Sequence, residues 1–188
     1  MRWTVAAAGL VLAAAPLLMA HEPRYVDGPP PGFTGDFGEP TCASCHVDAT
    51  VVPDAPGLAI RGVPERFEPG ETYILTVALH EPEIGAGGFE LSARTSGGTQ
   101  AGTLRAVDAR ARVVADSTTG VSYIVHTAEG AALVAPDSAR WSVEWTAPES
   151  SGDSVVFSAA ANAANGDDSN FGDQIFTHRA TTTRRPSP

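Results

Sequence analysis

Cys42 and Cys45 are the only cysteines in this 188-residue chain, and His46 follows the second directly in the stretch "PTCASCHVDA". Four kinds of chemistry suit two thiols at this spacing beside an imidazole. Covalent haem attachment needs two thiols for the two vinyl groups of one porphyrin, with the next histidine turned onto the iron. Zinc wants four ligands, and no second cluster at finger spacing accompanies this one. A redox dithiol belongs between a strand and a helix of a βαβ unit. A Cys42–Cys45 disulfide would close a loop too small to restrict many unfolded conformations. The motif is read as an anchor for one covalent haem c on Cys42 and Cys45, with His46 as proximal ligand to the haem iron.

A six-coordinate iron then needs a second ligand. Met1 and Met19, the only methionines, both fall in the first twenty residues, which leaves histidine. His126, in "VSYIVHT", shares a strand face with Ile124; His80 and His178 end strands; His21 stands at the expected start of the mature chain. Position alone does not choose among these four. An amino-terminal His21 would also offer copper an amine and an imidazole. Separately, "NGDDSNFGD" (165–173) gathers Asp167, Asp168 and Asp173 with Asn165 and Asn170 around glycines. Oxygen ligands on such a loop suit calcium, and a polar hairpin turn accounts for them equally well. No acid, base or nucleophile constellation is recognisable, so an electron-transfer or binding protein is expected rather than an enzyme.

The elements that must position these residues begin after an expected signal peptide, residues 1–20. Arg2 precedes the uncharged run "WTVAAAGLVLAAAPLLM", and Ala20 offers a small residue for cleavage. The expected location is therefore periplasmic, extracellular or at the cell surface, and no second apolar stretch is long enough to span a bilayer. Residues 21–57 form an arm around "GPPPGFTGDFGEP", in which eight of thirteen residues are Gly or Pro. Such a stretch makes neither helix nor central strand, so the motif sits on irregular structure.

From Leu58 the pattern becomes period two. Tyr73, Leu75, Val77 and Leu79 share one face of "TYILTVALH"; Phe89, Leu91 and Ala93 oppose Glu90, Ser92 and Arg94; Trp141, Val143 and Trp145 oppose Ser142, Glu144 and Thr146. Eight or nine half-buried strands are expected, at about 58–63, 72–80, 88–95, 100–107, 111–115, 121–127, 140–146, 154–161 and 174–179. Many short strands at this spacing predict an all-β, immunoglobulin-like antiparallel β-sandwich over 58–179, followed by a disordered polar tail, 180–188. The chain has no lysine, 12 arginines and 22 acidic residues, for a net charge of −10. That balance argues against nucleic acid as a partner, since phosphate binding demands basic patches, and suits basic partners or cations.

The ordered set "GPPPGFTGDFGEPTCASCH", "SYIVHT", "WSVEWTAP" and "AANAANGDDSNFGDQIFT" resembles the bacterial secreted domain called choice-of-anchor V, related to the Reelin (Reeler) domain. The likeness spans about residues 28–178. It implies an immunoglobulin-like sandwich and carries the family's motif histidines onto His46 and His126, raising His126 above the other candidates. Phe33, Phe37 and Tyr123 are then candidate ring contacts. The expected function is a secreted monohaem c-type cytochrome domain in electron transfer or redox sensing, working with a redox partner protein. The alternative is a haem-free extracellular adhesion or surface-binding module with a Cys42–Cys45 disulfide.

Overall fold

A computed structural model describes residues 25–150 and 152–186; the expected signal peptide, His21 and the last two residues of the tail lie outside the described residues. The strands are β1 (Thr50–Pro53), β2 (Leu58–Arg61), β3 (Arg66–Phe67), β4 (Thr72–His80), β5 (Ala86–Thr95), β6 (Thr103–Ala106), β7 (Ala111–Ala115), β8 (Ser122–His126), β9 (Ser138–Thr146), β10 (Ser154–Ala164) and β11 (Gln174–Arg184). Each of the nine alternating segments forms one of them. β1 and β3 have no alternation of their own. They arise by parallel pairing with β11, at Thr50↔Gln174 through Pro53↔Thr177 and at Arg66↔Thr183.

β11 also outruns its expected end. Residues 180–184, read from sequence as the start of a disordered tail, continue the ladder to β10 as far as Ser154↔Thr183. The β-branched run Thr181–Thr183 suits a strand, and Thr182 is buried.

Two sheets face each other. One runs β1-β11-β10-β5-β8-β7, with β3 joined to β11; the other runs β2-β4-β9-β6. The predicted inward faces meet between them: Leu75, Val77 and Leu79 from β4, Trp141, Val143 and Trp145 from β9, Phe89 and Leu91 from β5, and Phe157 from β10. Phe89 stacks on Trp141 at 4.5 Å, and Phe157 meets Trp145 edge-on at 4.8 Å. Both indole N–H groups find buried carbonyls, Trp141 on Gly130 (2.9 Å) and Trp145 on Ala101 (3.0 Å). Buried tryptophans require such partners.

The larger sheet departs from the half-buried expectation. On β5 the polar residues Glu90, Ser92 and Arg94 are as buried as the apolar ones opposite them, and β10 buries Ser158 and Asn162 likewise. The Gly/Pro arm covers this outer face. It crosses β8 at Gly28, β5 at Gly32 and Phe33, and β10 at Asp36, whose Oδ2 accepts from Ser158 Oγ at 2.6 Å. Gly28 has φ +92°, and a Cβ there would lie 2.5 Å from both the His126 carbonyl oxygen and Val125 Cγ2. Only glycine allows this approach.

Candidate functional site

The arm delivers the cysteines on a short 3-10 turn, Cys42–Ser44, whose N-cap Thr41 accepts the Ala43 N–H through Oγ1 at 3.3 Å. The Cys42 carbonyl accepts from the N–H groups of Cys45 (3.1 Å) and His46 (3.0 Å). This turn leaves Cys42 half-buried and Cys45 exposed, with both thiols free. Burial, with the Glu90 charge adding to it, pushes the Cys42 thiol up to about 12. It is a protonated thiol at neutral pH, unlike the depressed thiolate of a redox dithiol.

His46 is held from the β10–β11 side. Its Nδ1 lies 2.5 Å from Asp173 Oδ2, and the Asp173 side chain is fully buried. Asp173 Oδ2 also accepts from Asn162 Nδ2 (3.1 Å), and its Oδ1 accepts the Asn165 N–H (3.1 Å). Asn162 Nδ2 lies 3.3 Å from each His46 ring nitrogen, and its own Oδ1 is buried without a partner among the described residues. Two further bonds tie the same loop to the motif: Asn170 Nδ2 donates to the Cys45 carbonyl (2.7 Å), and the Gly172 N–H to Asp48 (3.0 Å).

His126 closes the end of β8. Its Nδ1 sits between the Phe89 N–H (3.1 Å) and the Phe89 carbonyl (3.3 Å), which suits either tautomer. Gly88 makes room for the ring, since a Cβ there would come within 2.8 Å of His126 Cε1. Burial lowers the proton affinity of His126; the Phe89 bond opposes this, and the charges of Arg112 and His46 add to it.

A buried polar network lies beneath the arm along β5. Glu90 Oε1 accepts from the N–H groups of Gly32 (2.7 Å) and Phe33 (3.2 Å), and Glu90 Oε2 has no partner among the described residues. Burial lifts the Glu90 carboxyl to about 7, against the pull of those two N–H groups. Glu39 pairs with Arg94 and accepts from Tyr123 Oη (2.5 Å) and Thr34 Oγ1 (2.5 Å). Burial raises its carboxyl, but these bonds outweigh it and hold Glu39 below its ordinary value. The Phe37 ring covers the Arg94 guanidinium at 4.8 Å. Phe37 and Tyr123, expected as ring contacts, are therefore occupied with Arg94.

In the acidic loop the carboxylates take different partners. Asp173 turns inward to His46 and Asn162, while exposed Asp167 accepts the Ser169 N–H within its own turn (2.8 Å). Asp168 has φ +64° in that turn. Among the described residues no group of three or more His, Cys, Asp or Glu is placed to hold a metal ion. The carboxylates are divided because the strand pairing aims Asp173 at the arm. Of the other histidines among the described residues, His80 Nδ1 meets Ser138 Oγ at 3.2 Å, and His178 Nδ1 lies 3.5 Å from Asp54. Sequence reasoning missed Asn162 and Glu90. Asn162 had a signal, being the one strongly polar side chain in the run "FSAAANAA".

Cys42, Cys45 and His46 are the residues that would hold a covalent haem. The two thiols and His46 do not converge on one point, which tetrahedral zinc would need. A metal-ligating histidine usually donates its other ring N–H to a carboxylate, and Asp173 stands where it would accept that N–H from His46. Coordination through His46 Nε2 would displace the 3.3 Å approach of Asn162, which keeps its shorter bond to Asp173.

Fold and neighbours together define a Reeler-like, immunoglobulin-like β-sandwich. The human F-spondin reeler domain is similar at 18% identity and TM-score 0.50, covering 73% of this chain and 95% of that one. The Reelin-N domain of F-spondin (19%, TM-score 0.49, 77% and 97% coverage) and an immunoglobulin-like protein from Nocardia farcinica (16%, TM-score 0.39, 69% and 98%) also match. At these identities the likeness concerns the fold alone. No protein-family model matches the sequence, and no curated protein matches it. Among the described residues no helix is long and apolar enough to cross a membrane.

Proposed function

We propose that this chain is an exported monohaem c-type cytochrome domain of the choice-of-anchor V kind, serving electron transfer or redox sensing. Cys42 and Cys45 would carry the two thioether bonds, His46 the proximal position and His126 the opposite one. Bound there, haem would supply one-electron exchange at its iron. The chain's own residues do the rest. The 3-10 turn presents Cys45 to solvent for attachment. Asp173 and the Asn170 bond hold the turn against β10 and β11. The polar network on Glu39, Glu90 and Arg94 seats the arm over β5 and β8. The observation that carries the reading is the His46–Asp173 pair at 2.5 Å directly after the Cys-x-x-Cys spacing, because it commits Nδ1 and leaves Nε2 for a metal.

The test is expression with export in a host that has a c-haem maturation system. The mature protein should gain the mass of one haem that survives denaturation, together with a Soret band. A folded product with neither overturns the cytochrome reading. A Cys42–Cys45 disulfide in that product would return the haem-free surface-binding module.

A further inference from the structure

We infer that Asp173 is a positioning residue that fixes the tautomer of His46 and, through it, sets the electron-donating power of that imidazole. This rests on the haem reading above. The carboxylate belongs to a loop whose other acids face solvent, yet its side chain is fully buried and three donors converge on it: His46 Nδ1 at 2.5 Å, Asn162 Nδ2 at 3.1 Å and the Asn165 N–H at 3.1 Å. Since a carboxylate only accepts, the proton of that contact belongs to His46 Nδ1, and Nε2 is the nitrogen left with a lone pair.

The clamp is built from both sides. Asn162 points from β10, and the loop is pinned to the motif backbone by Asn170 on the Cys45 carbonyl and Gly172 on Asp48. These two contacts fix the motif against the segment that leads into Asp173, so the carboxylate and the His46 ring are held in register. A carboxylate drawing on the Nδ1 proton gives the ring partial anionic character and makes it a stronger donor. Stronger donation favours the oxidised form of a bound iron. Asp173 thus biases the site toward a low reduction potential, beyond what the absence of a methionine ligand already does.

The experiment uses the mature protein in two forms. In protein without haem, 15N NMR of the imidazoles reads the His46 tautomer directly. Wild type should show the Nδ1–H form, and Asp173→Asn should lose that preference. In haem-loaded protein at a fixed solution potential, Asp173→Asn should raise the ferrous-to-ferric ratio, each tenfold rise corresponding to about 59 mV for a one-electron couple. Asp173→Glu should recover part of both effects, and Asp167→Asn in the same loop should produce neither. If Asp173→Asn does not fold, Asn162→Ser, which removes a competing donor from the oxygen that His46 contacts, should keep the Nδ1–H tautomer and shift the ferrous-to-ferric ratio down rather than up. An Asp173→Asn protein with the wild-type tautomer, or with the wild-type potential, overturns the inference. Failure of wild type to take up haem instead overturns the function proposed above, and the haem-free tautomer measurement still decides the role of Asp173.

Discussion

Replacing Glu90 by glutamine should make this protein more stable at pH 8 and leave it nearly unchanged at pH 4. Glu90 lies on β5 beneath the arm with no exposed surface. Burial lifts its carboxyl from 4.5 to about 7 even though Gly32 and Phe33 donate to Oε1; the Glu39 charge adds to the rise and Arg94 opposes it. The fold thus holds the Glu90 proton more tightly than the open chain does. Its stabilising contribution is complete below pH 4.5 and is lost as the pH rises through 7. At about 1.4 kcal/mol for each tenfold change in proton affinity, the loss comes to roughly 3 kcal/mol. Glutamine keeps an acceptor for the two N–H groups and has no charge to bury. Urea unfolding, followed by the fluorescence of buried Trp141 and Trp145, should therefore give two stability curves that coincide near pH 4 and separate by about 3 kcal/mol at pH 8. Other titrating groups act on both proteins. Lowered His126 contributes stability that falls away as the pH drops below 6.5, and lowered Glu39 does so below 4.5, so the difference between the curves isolates Glu90. Parallel curves, or a gap in which wild type gains with rising pH, would refute the reasoning.

His126→Ala should leave the thioethers intact while the low-spin absorption spectrum is lost or altered, whereas His80→Ala and His178→Ala, at sites held by Ser138 and Asp54, should keep it. Gly88→Ala would set a methyl 2.8 Å from His126 Cε1; the ring can swing away, so the spectrum should change as for His126→Ala while the melting temperature moves little. Phe157→Ala, a fully buried ring edge-on to Trp145, should destabilise by about 3–5 kcal/mol in denaturant titrations. Chelator should leave the melting curve in place, because Asp167 and Asp173 face different partners; a drop restored by added calcium would overturn that assignment.

The strands and their inward faces were legible in the sequence because alternation is a local property. Leu75, Val77 and Leu79, and Trp141, Val143 and Trp145, declare their side of the sheet whatever they pair with. The Cys42-Cys45-His46 spacing is also local, and the haem proposed for it rests on that spacing. Three things were decided only by the tertiary structure. The first is pairing order: β1 and β3 are too short to have a period and exist as strands only because β11 offers them an edge. The second is burial on the outer face of β5 and β10, where a polar alternation normally signals solvent. The arm that covers Glu90, Ser92, Arg94 and Asn162 has no periodicity from which its path could be read. The third is the role of Asp173, 127 residues from His46. Read along the chain it is one more acid in a turn; only the β10–β11 ladder, which ends where the motif turn docks, aims it at an imidazole rather than at a cation. Local pattern reports which face a residue takes, whereas what lies on that face depends on the closure of distant loops.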